Sequence, residues 1–405
     1  MRKKINLLII IATLLLSFTG YAYAEQLPNE NEYDPLYNKF AKIVKPELLN
    51  GARAINLQDL GINRNELEEF YFKLLENDPL LFHVAHNWEF TFNTDGIIFE
   101  LKPKYDTYLK NNYNYFGSLI TNEIEKVLAL TEKGATNLDK MLILNDYLAT
   151  NYKYDSSLRI SDVARFVEKK KGVCQSYTNF AKFILDELNI PNIIVSSKNI
   201  IHTWNMVKYQ DKWYNIDFTW SDPLTNGKDI LGSAHHDNFM TSNTKKIKLN
   251  KAPDDWTKTI PHVANDVQYE NIFSQTKTPF VFMGDKVYYM TNGNIYSIDT
   301  STGKSTLVYD ALKDITWPAS QKNYYYSEQF TGFAGKDNYL YYNTPYSIMA
   351  YDINAHTTNK ILEISQSQST GYKIWGFNLS DNQLTYAIGK DIAYALSHKI
   401  IDIKN

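Results

Sequence analysis

Cys174 is the single cysteine of the 405-residue chain, so it can form no intrachain disulfide. A lone thiol is either a small buried apolar residue or a reactive nucleophile. It lies in the segment KGVCQSY, directly after Gly172 and Val173. Residues Cys174, Tyr177, Phe180, Ala181, Ile184, Leu185 and Leu188 recur at three- and four-residue steps, which predicts a helix that begins at the cysteine. A helix N-terminus lowers a thiol pKa and offers a backbone N–H to an oxygen that is gaining negative charge. A glycine just before it lets the backbone turn and come close to a substrate carbonyl.

A nucleophilic thiol needs a base, and the base needs an orienting partner. His202 opens the run HTWNMVKY, and Asp217 lies in the returning run KWYNIDFTW. A two-residue turn at Gln210-Asp211 pairs Tyr209 with Lys212, which sets His202 opposite Thr219 and Trp204 opposite Asp217. His202 and Asp217 then share a face as diagonal neighbours, roughly 7 to 8 Å apart along the backbone. A three-residue turn would put them on opposite faces. Cys174, His202 and Asp217 are therefore the candidate nucleophile, acid-base and orienter. Tyr154, Gln175, Trp204 and Trp220 are candidates for the substrate cleft or oxyanion contacts, and Tyr152 is weighed for the same role against core packing.

Other constellations carry less. His235-His236-Asp237 lacks a further ligand at helical or strand spacing, so no metal site is expected. His83 and His86 read as surface or core filling. No acidic loop has calcium-binding spacing, and no cofactor is implied. A net charge of -3 supplies no basic field for nucleic acid. The many C-terminal tyrosines suit cross-strand packing.

The elements that position these residues are legible from period and punctuation. Residues 1–24 have the charged, apolar and small-residue order of a secretory signal peptide, which predicts a secreted or wall-associated chain with no membrane span after it. Helices are expected from Pro35 to Val44 and from Asn63 to Leu75, then a hairpin around Thr94-Asp95-Gly96. Further helices follow at Ile120–Leu130 and Leu138–Tyr152, and a short one capped by Ser161-Asp162 and stopped by Gly172. Ile193–Val195 reads as a buried strand. Domains are expected at 25–115 (N-terminal, α+β), 116–248 (catalytic) and 276–405 (β-rich, with about three blade-like repeats), with a polar linker over 249–275.

The segments GVCQSYTNFAKFILDELNIP and HTWNMVKYQDKWYNIDFTW, with the following DP, resemble the three motifs of bacterial transglutaminase-like domains, within the papain-like cysteine superfamily. The chain as a whole resembles secreted transglutaminase-like proteins of Gram-positive bacteria. Ser176 stands where that family often has glycine, and Thr203 where it commonly has alanine. The resemblance implies an α+β fold: a papain-like core with the cysteine helix packed on an antiparallel sheet. A helical and hairpin region precedes that core, and an all-β, propeller-like or sandwich domain follows it. It also implies thioester chemistry by Cys174, His202 and Asp217 on amide or peptide bonds, by hydrolysis or cross-linking. Expected substrates are proteins or peptides, among them cell-wall peptides and cell-surface proteins. The alternative is a non-catalytic surface-binding protein that uses this domain as a scaffold.

Overall fold

The computed structural model describes residues 35–222, 230–251, 253–274, 276–321, 323–327, 329–364 and 371–403. The expected leader, residues 1–24, lies outside them. Two compact units are present.

The first comprises residues 35–75 and 84–106. Helices α1 (Pro35–Leu49) and α2 (Arg64–Asn77) flank the short strand β1 (Ile55–Asn56). Strands β2 (Val84–Phe92) and β3 (Ile98–Tyr105) follow, giving a sheet of order β1-β3-β2. The expected hairpin is there: the Asn93 side chain accepts from the Asp95 and Ile97 amides, and Gly96 takes the left-handed φ of 80° that closes the turn. Tyr37 and Phe40 of α1 meet Phe70 of α2 through ring contacts at 5.6 Å.

The second unit holds residues 76–83 and everything from 107 onward. After α3 (Thr107–Asn111) come α4 (Tyr113–Thr131) and α5 (Asn137–Asn151). A reciprocal capping box between Thr136 and Asp139 starts α5. Strand β4 (Lys153–Tyr154) pairs in parallel with β5 (Lys171–Gly172), across the intervening helix α6 (Val163–Lys169). Next are α7 (Cys174–Glu187), β6 (Asn192–Ser197), β7 (His202–Tyr209) and β8 (Lys212–Ile216), the strands forming an antiparallel sheet of order β6-β7-β8. Helix α8 (Asn243–Asn250) closes this part.

Several boundaries differ from the expectation. Helix α6 ends at Lys170, which takes the left-handed conformation, and not at Gly172. Gly172 is required for space: a Cβ there would come within 2.5 Å of Ser176 Oγ and 2.6 Å of Phe166 Cδ2. The expected boundary at 115/116 falls inside α4, so the first unit ends earlier, at Asp106. Residues 249–275 do not form a linker. Trp256, Ala264, Tyr269 and Phe273 are buried, and Tyr269 and Phe273 join the core that Leu148, Phe180 and Ile184 build.

That core also takes Phe280 and Ile298, so the C-terminal sheets pack onto the same unit instead of forming a detached domain. They are antiparallel meanders. Strands β9 (Val281–Met283), β10 (Lys286–Thr291), β11 (Asn294–Ile298) and β12 (Ser305–Asp310) form one sheet. The ribbon β13 (Trp317–Pro318) with β14 (Tyr325–Tyr326) precedes a second sheet, β15 (Phe333–Lys336), β16 (Tyr339–Asn343), β17 (Ser347–Asp352) and β18 (Thr357–Glu363). A three-stranded sheet, β19 (Lys373–Ser380), β20 (Gln383–Gly389) and β21 (Ser397–Asp402), ends the described chain, and the sheets do not close into a barrel. No described helix is long and apolar enough to cross a membrane.

Candidate functional site

The hairpin β7-β8 sets the site's geometry. Gln210 and Asp211 take φ of 49° and 60°, the two-residue turn with left-handed backbone at both corners, and Tyr209 pairs with Lys212. The pairing ends at Asn205 with Ile216, so the expected pairs Trp204–Asp217 and His202–Thr219 are not formed: the chain turns just past β8, and from there Asp217 Oδ2 accepts from His202 Nε2 at 2.7 Å. Nδ1 is the ring nitrogen that remains, and His202 and Cys174 are close enough to shift each other's ionisation.

Cys174 is the first residue of α7 and is partly exposed. Val173 before it provides no side-chain cap, so the first helical N–H groups, including that of Cys174, have no helical acceptor and point out of the helix end. Ser176 secures this end from within, donating from Oγ to the Ile160 carbonyl at 2.9 Å. The Val173 N–H donates to the same carbonyl at 2.8 Å. The cysteine is thus held by a turn that is itself pinned to the loop after β4.

The ionisation of the three groups runs in one direction. Burial pushes the Cys174 thiol up, but the hydrogen bond and charge of His202, with the Thr203 backbone N–H, outweigh it and hold the thiol below its ordinary value. Burial disfavours the His202 imidazolium, yet the Asp217 charge and hydrogen bond lift it to about 9. Asp217 is fully buried, and the charges of Lys246 and His202 overcome that burial to keep it well below the usual carboxylate range. A depressed thiol beside a raised imidazole stores the shared proton on His202.

Sequence reasoning missed Lys246. It comes from α8, is fully buried, and donates from Nζ to Asp217 Oδ2 at 2.5 Å and to Asn238 Oδ1 at 3.3 Å. Its ammonium sits 4.8 Å from the Trp204 ring centre and 4.9 Å from that of Trp220. The only sequence signal was a lysine on the inner face of a polar helix, in the run NTKKIKLN. The Trp220 N–H donates to the other Asp217 oxygen at 3.1 Å.

The remaining candidates separate by position. Trp220 is half-buried and stacks on the His202 ring at 5.0 Å. Trp204 is completely buried, its Nε1 donating to Asn215 Oδ1, so it backs His202 and presents no surface to a substrate. Tyr154 pairs with Gly172 and is half-buried; burial first, then the charge of Cys174, raises its phenol. Gln175 is half-buried next to the nucleophile. Tyr152 is core, donating to Glu123 at 2.7 Å and stacking on Phe166. His83 is buried against Phe82 and Tyr113, and His86 meets Phe72. His235 is depressed to about 4 by burial and the neighbouring Lys277 and His236. Among the described residues no cluster of three or more His, Cys, Asp or Glu side chains is arranged to hold a metal.

The model of the Transglutaminase-like superfamily matches residues 125–218, so this stretch is a transglutaminase-like domain that ends one residue past Asp217. No curated protein is a significant match. Among solved structures, one described as a TGase aligns with 39% of this chain and 48% of its own, at 16% identity and a TM-score of 0.23. A candidate cysteine protease from Cytophaga hutchinsonii aligns with 33% of this chain and 61% of its own, at 14% identity and a TM-score of 0.22. The chain therefore spans about half to three fifths of those relatives' lengths, and the likenesses are partial.

Proposed function

We propose that this chain is an exported cysteine enzyme acting on carboxamide or peptide bonds through a thioester. The observation that carries the reading is a thiol at an uncapped helix start, its ionisation favoured by a neighbouring imidazole that is itself held by a fully buried carboxylate.

The chemistry is short. The Cys174 thiolate adds to the amide carbonyl carbon, and the oxygen takes up negative charge facing the free N–H groups at the start of α7. Gln175 and Tyr154 are the nearby side chains suited to assist there. The tetrahedral intermediate collapses as His202 gives its proton to the leaving nitrogen, which breaks the C–N bond and leaves a thioester. His202, now neutral, takes a proton from water or from a second amine, whose attack releases the acyl group and restores the thiol. Water gives hydrolysis and a lysine amine gives a cross-link.

A peptide substrate fits the rim of the site. Leu158 and Ile201 are 69% and 89% exposed, and both sit on left-handed backbone, with φ of 56° and 50°. That conformation is costly for a β-branched residue, and strain of this kind concentrates at functional sites. Ile201 directly precedes His202. Leu158 is in the loop tied to the nucleophile turn through Asp155 N–H to Gly172 O and Val173 N–H to Ile160 O. Two exposed apolar side chains, one beside His202 and one on the loop bonded to the turn before Cys174, suit the residues flanking an amide in a protein chain, wall peptides and surface proteins included.

The test is a glutamine-containing peptide incubated with and without a fluorescent primary amine, comparing the native chain with Cys174→Ala. Ammonia release or cleavage supports hydrolysis, and amine incorporation supports transamidation. Equal signals from the two proteins would overturn the enzymatic reading.

A further inference from the structure

Lys246 is placed where a packing residue would not be. Its side chain and that of Asp217 are both 0% exposed, and an ammonium in such a place costs several kcal/mol unless it is paired. A helix that only had to fill the space between Trp204 and Trp220 would use leucine or methionine. Asp217 does not need a cation to be anchored either, since His202 Nε2 and the Trp220 N–H already bond to it from two sides.

We propose that Lys246 is a positioning residue that sets how tightly His202 holds its proton, acting through Asp217. The proposal rests on the reading of Cys174, His202 and Asp217 as the reacting groups. The single charge of Asp217 is shared through one oxygen, Oδ2, by His202 at 2.7 Å and Lys246 at 2.5 Å. A buried carboxylate serving His202 alone would hold the imidazolium more tightly and make its proton slower to pass to the leaving nitrogen. With Lys246 neutralising part of that charge, His202 stays basic enough to take the thiol proton and acidic enough to give it up.

The groups facing this assembly are few. Cys174 on α7 and Asp217 face His202, while Asp217 and Asn238 face Lys246. The adjacent Lys245 is turned toward Glu270 and Asp237, so it does not substitute for Lys246. Tyr154 and Asp155 are on the thiol side, where Tyr154 feels the charges of Cys174 and Asp155.

The test uses Lys246→Met in the full chain, with kcat/KM for the glutamine peptide followed against pH and the Cys174 thiolate titrated by its ultraviolet absorbance. The expected result is an alkaline limb shifted upward by about one pH unit, with kcat near neutrality lowered about tenfold and KM little changed. Lys246→Arg should restore the limb. A folded Lys246→Met protein with an unmoved limb would overturn the proposal while leaving the thiol chemistry standing; an inactive native chain with no depressed thiol would remove both. Should the Met variant not fold, lysine side-chain NMR of the native chain decides. The Lys246 ammonium resonance must persist throughout the pH range in which Cys174 reacts, and a neutral amine there would refute the role.

Discussion

Among the described residues the second unit holds two histidine-carboxylate pairs, one part-buried and one buried, and they differ in what the second ring nitrogen meets. His202 Nε2 meets Asp217 at 2.7 Å, and His236 Nε2 meets Asp146 at 2.6 Å. His236, however, is closed on both sides. Its Nδ1 is bonded to the Thr276 carbonyl at 3.0 Å, Asp146 takes the Phe280 N–H at 2.6 Å, and the ring is 0% exposed. His202 keeps its second nitrogen for Cys174. A histidine bound to an aspartate is therefore not by itself a sign of catalysis. On the proposed function the open ring of His202 serves the chemistry, whereas the sealed ring of His236 clamps α5 to the start of the C-terminal sheets.

Replacing each histidine tests that contrast most severely. His202→Ala should lower kcat/KM by at least about a thousandfold, with a smaller loss of stability than His236→Ala because Lys246 still pairs with Asp217. His236→Ala should strand a buried carboxylate and cost about 3 to 5 kcal/mol in denaturant unfolding, leaving the activity of the folded fraction intact. If the two variants exchanged these outcomes, the assignment of chemical and structural roles would be reversed.

The next effect is in pH. Because His202 is raised from 6.5 to about 9 in the folded chain, its pairing stabilises the fold fully below 6.5, and the contribution is lost as pH rises through about 9. Activity should fall over the same upper range as the leaving nitrogen loses its proton donor. Unfolding profiles of the native chain and Cys174→Ala beside the rate profile of the native chain would show it, and a rate that stays flat beyond that range would contradict it.

The smallest expected effect is at the rim. Ile201→Gly relieves a left-handed β-branched residue, and stability should rise by under about 1 kcal/mol. KM for peptides with apolar flanking residues should increase within about tenfold with kcat unchanged. An unchanged KM would separate the strained rim from substrate binding.

What could be read from residue order was whatever local rules govern. The apolar period from Cys174 placed the thiol at a helix start, and the pair Gln210-Asp211 determined the register of β7 and β8, which ends at Ile216, one residue short of Asp217. Lys246 could not be found that way. It lies among Lys245 and Lys248, and only the tertiary path that returns Asn238 to the Asp217 N–H turns it inward. Residues 249–275 misled for the same reason. Trp256, Tyr269 and Phe273 follow no regular period, and their burial depends on neighbours far away in sequence. Lys170 replaced Gly172 as the helix stop because glycine was needed two residues later for close packing on Ser176 and Phe166.

The return of residues 238–246 to the site bears on how the molecule can be cut. A fragment trimmed at residue 218, where the family match ends, would contain the nucleophile, the base and the orienter and still be incomplete. It would lose the Asn238 carbonyl that fixes Asp217, the Thr241 backbone that pairs with Asn215, and the ammonium beneath the carboxylate. The smallest excisable module of this protein is therefore longer than its recognisable motif, and grafting the three motif segments alone onto another scaffold would transplant the reagents without the floor on which they stand.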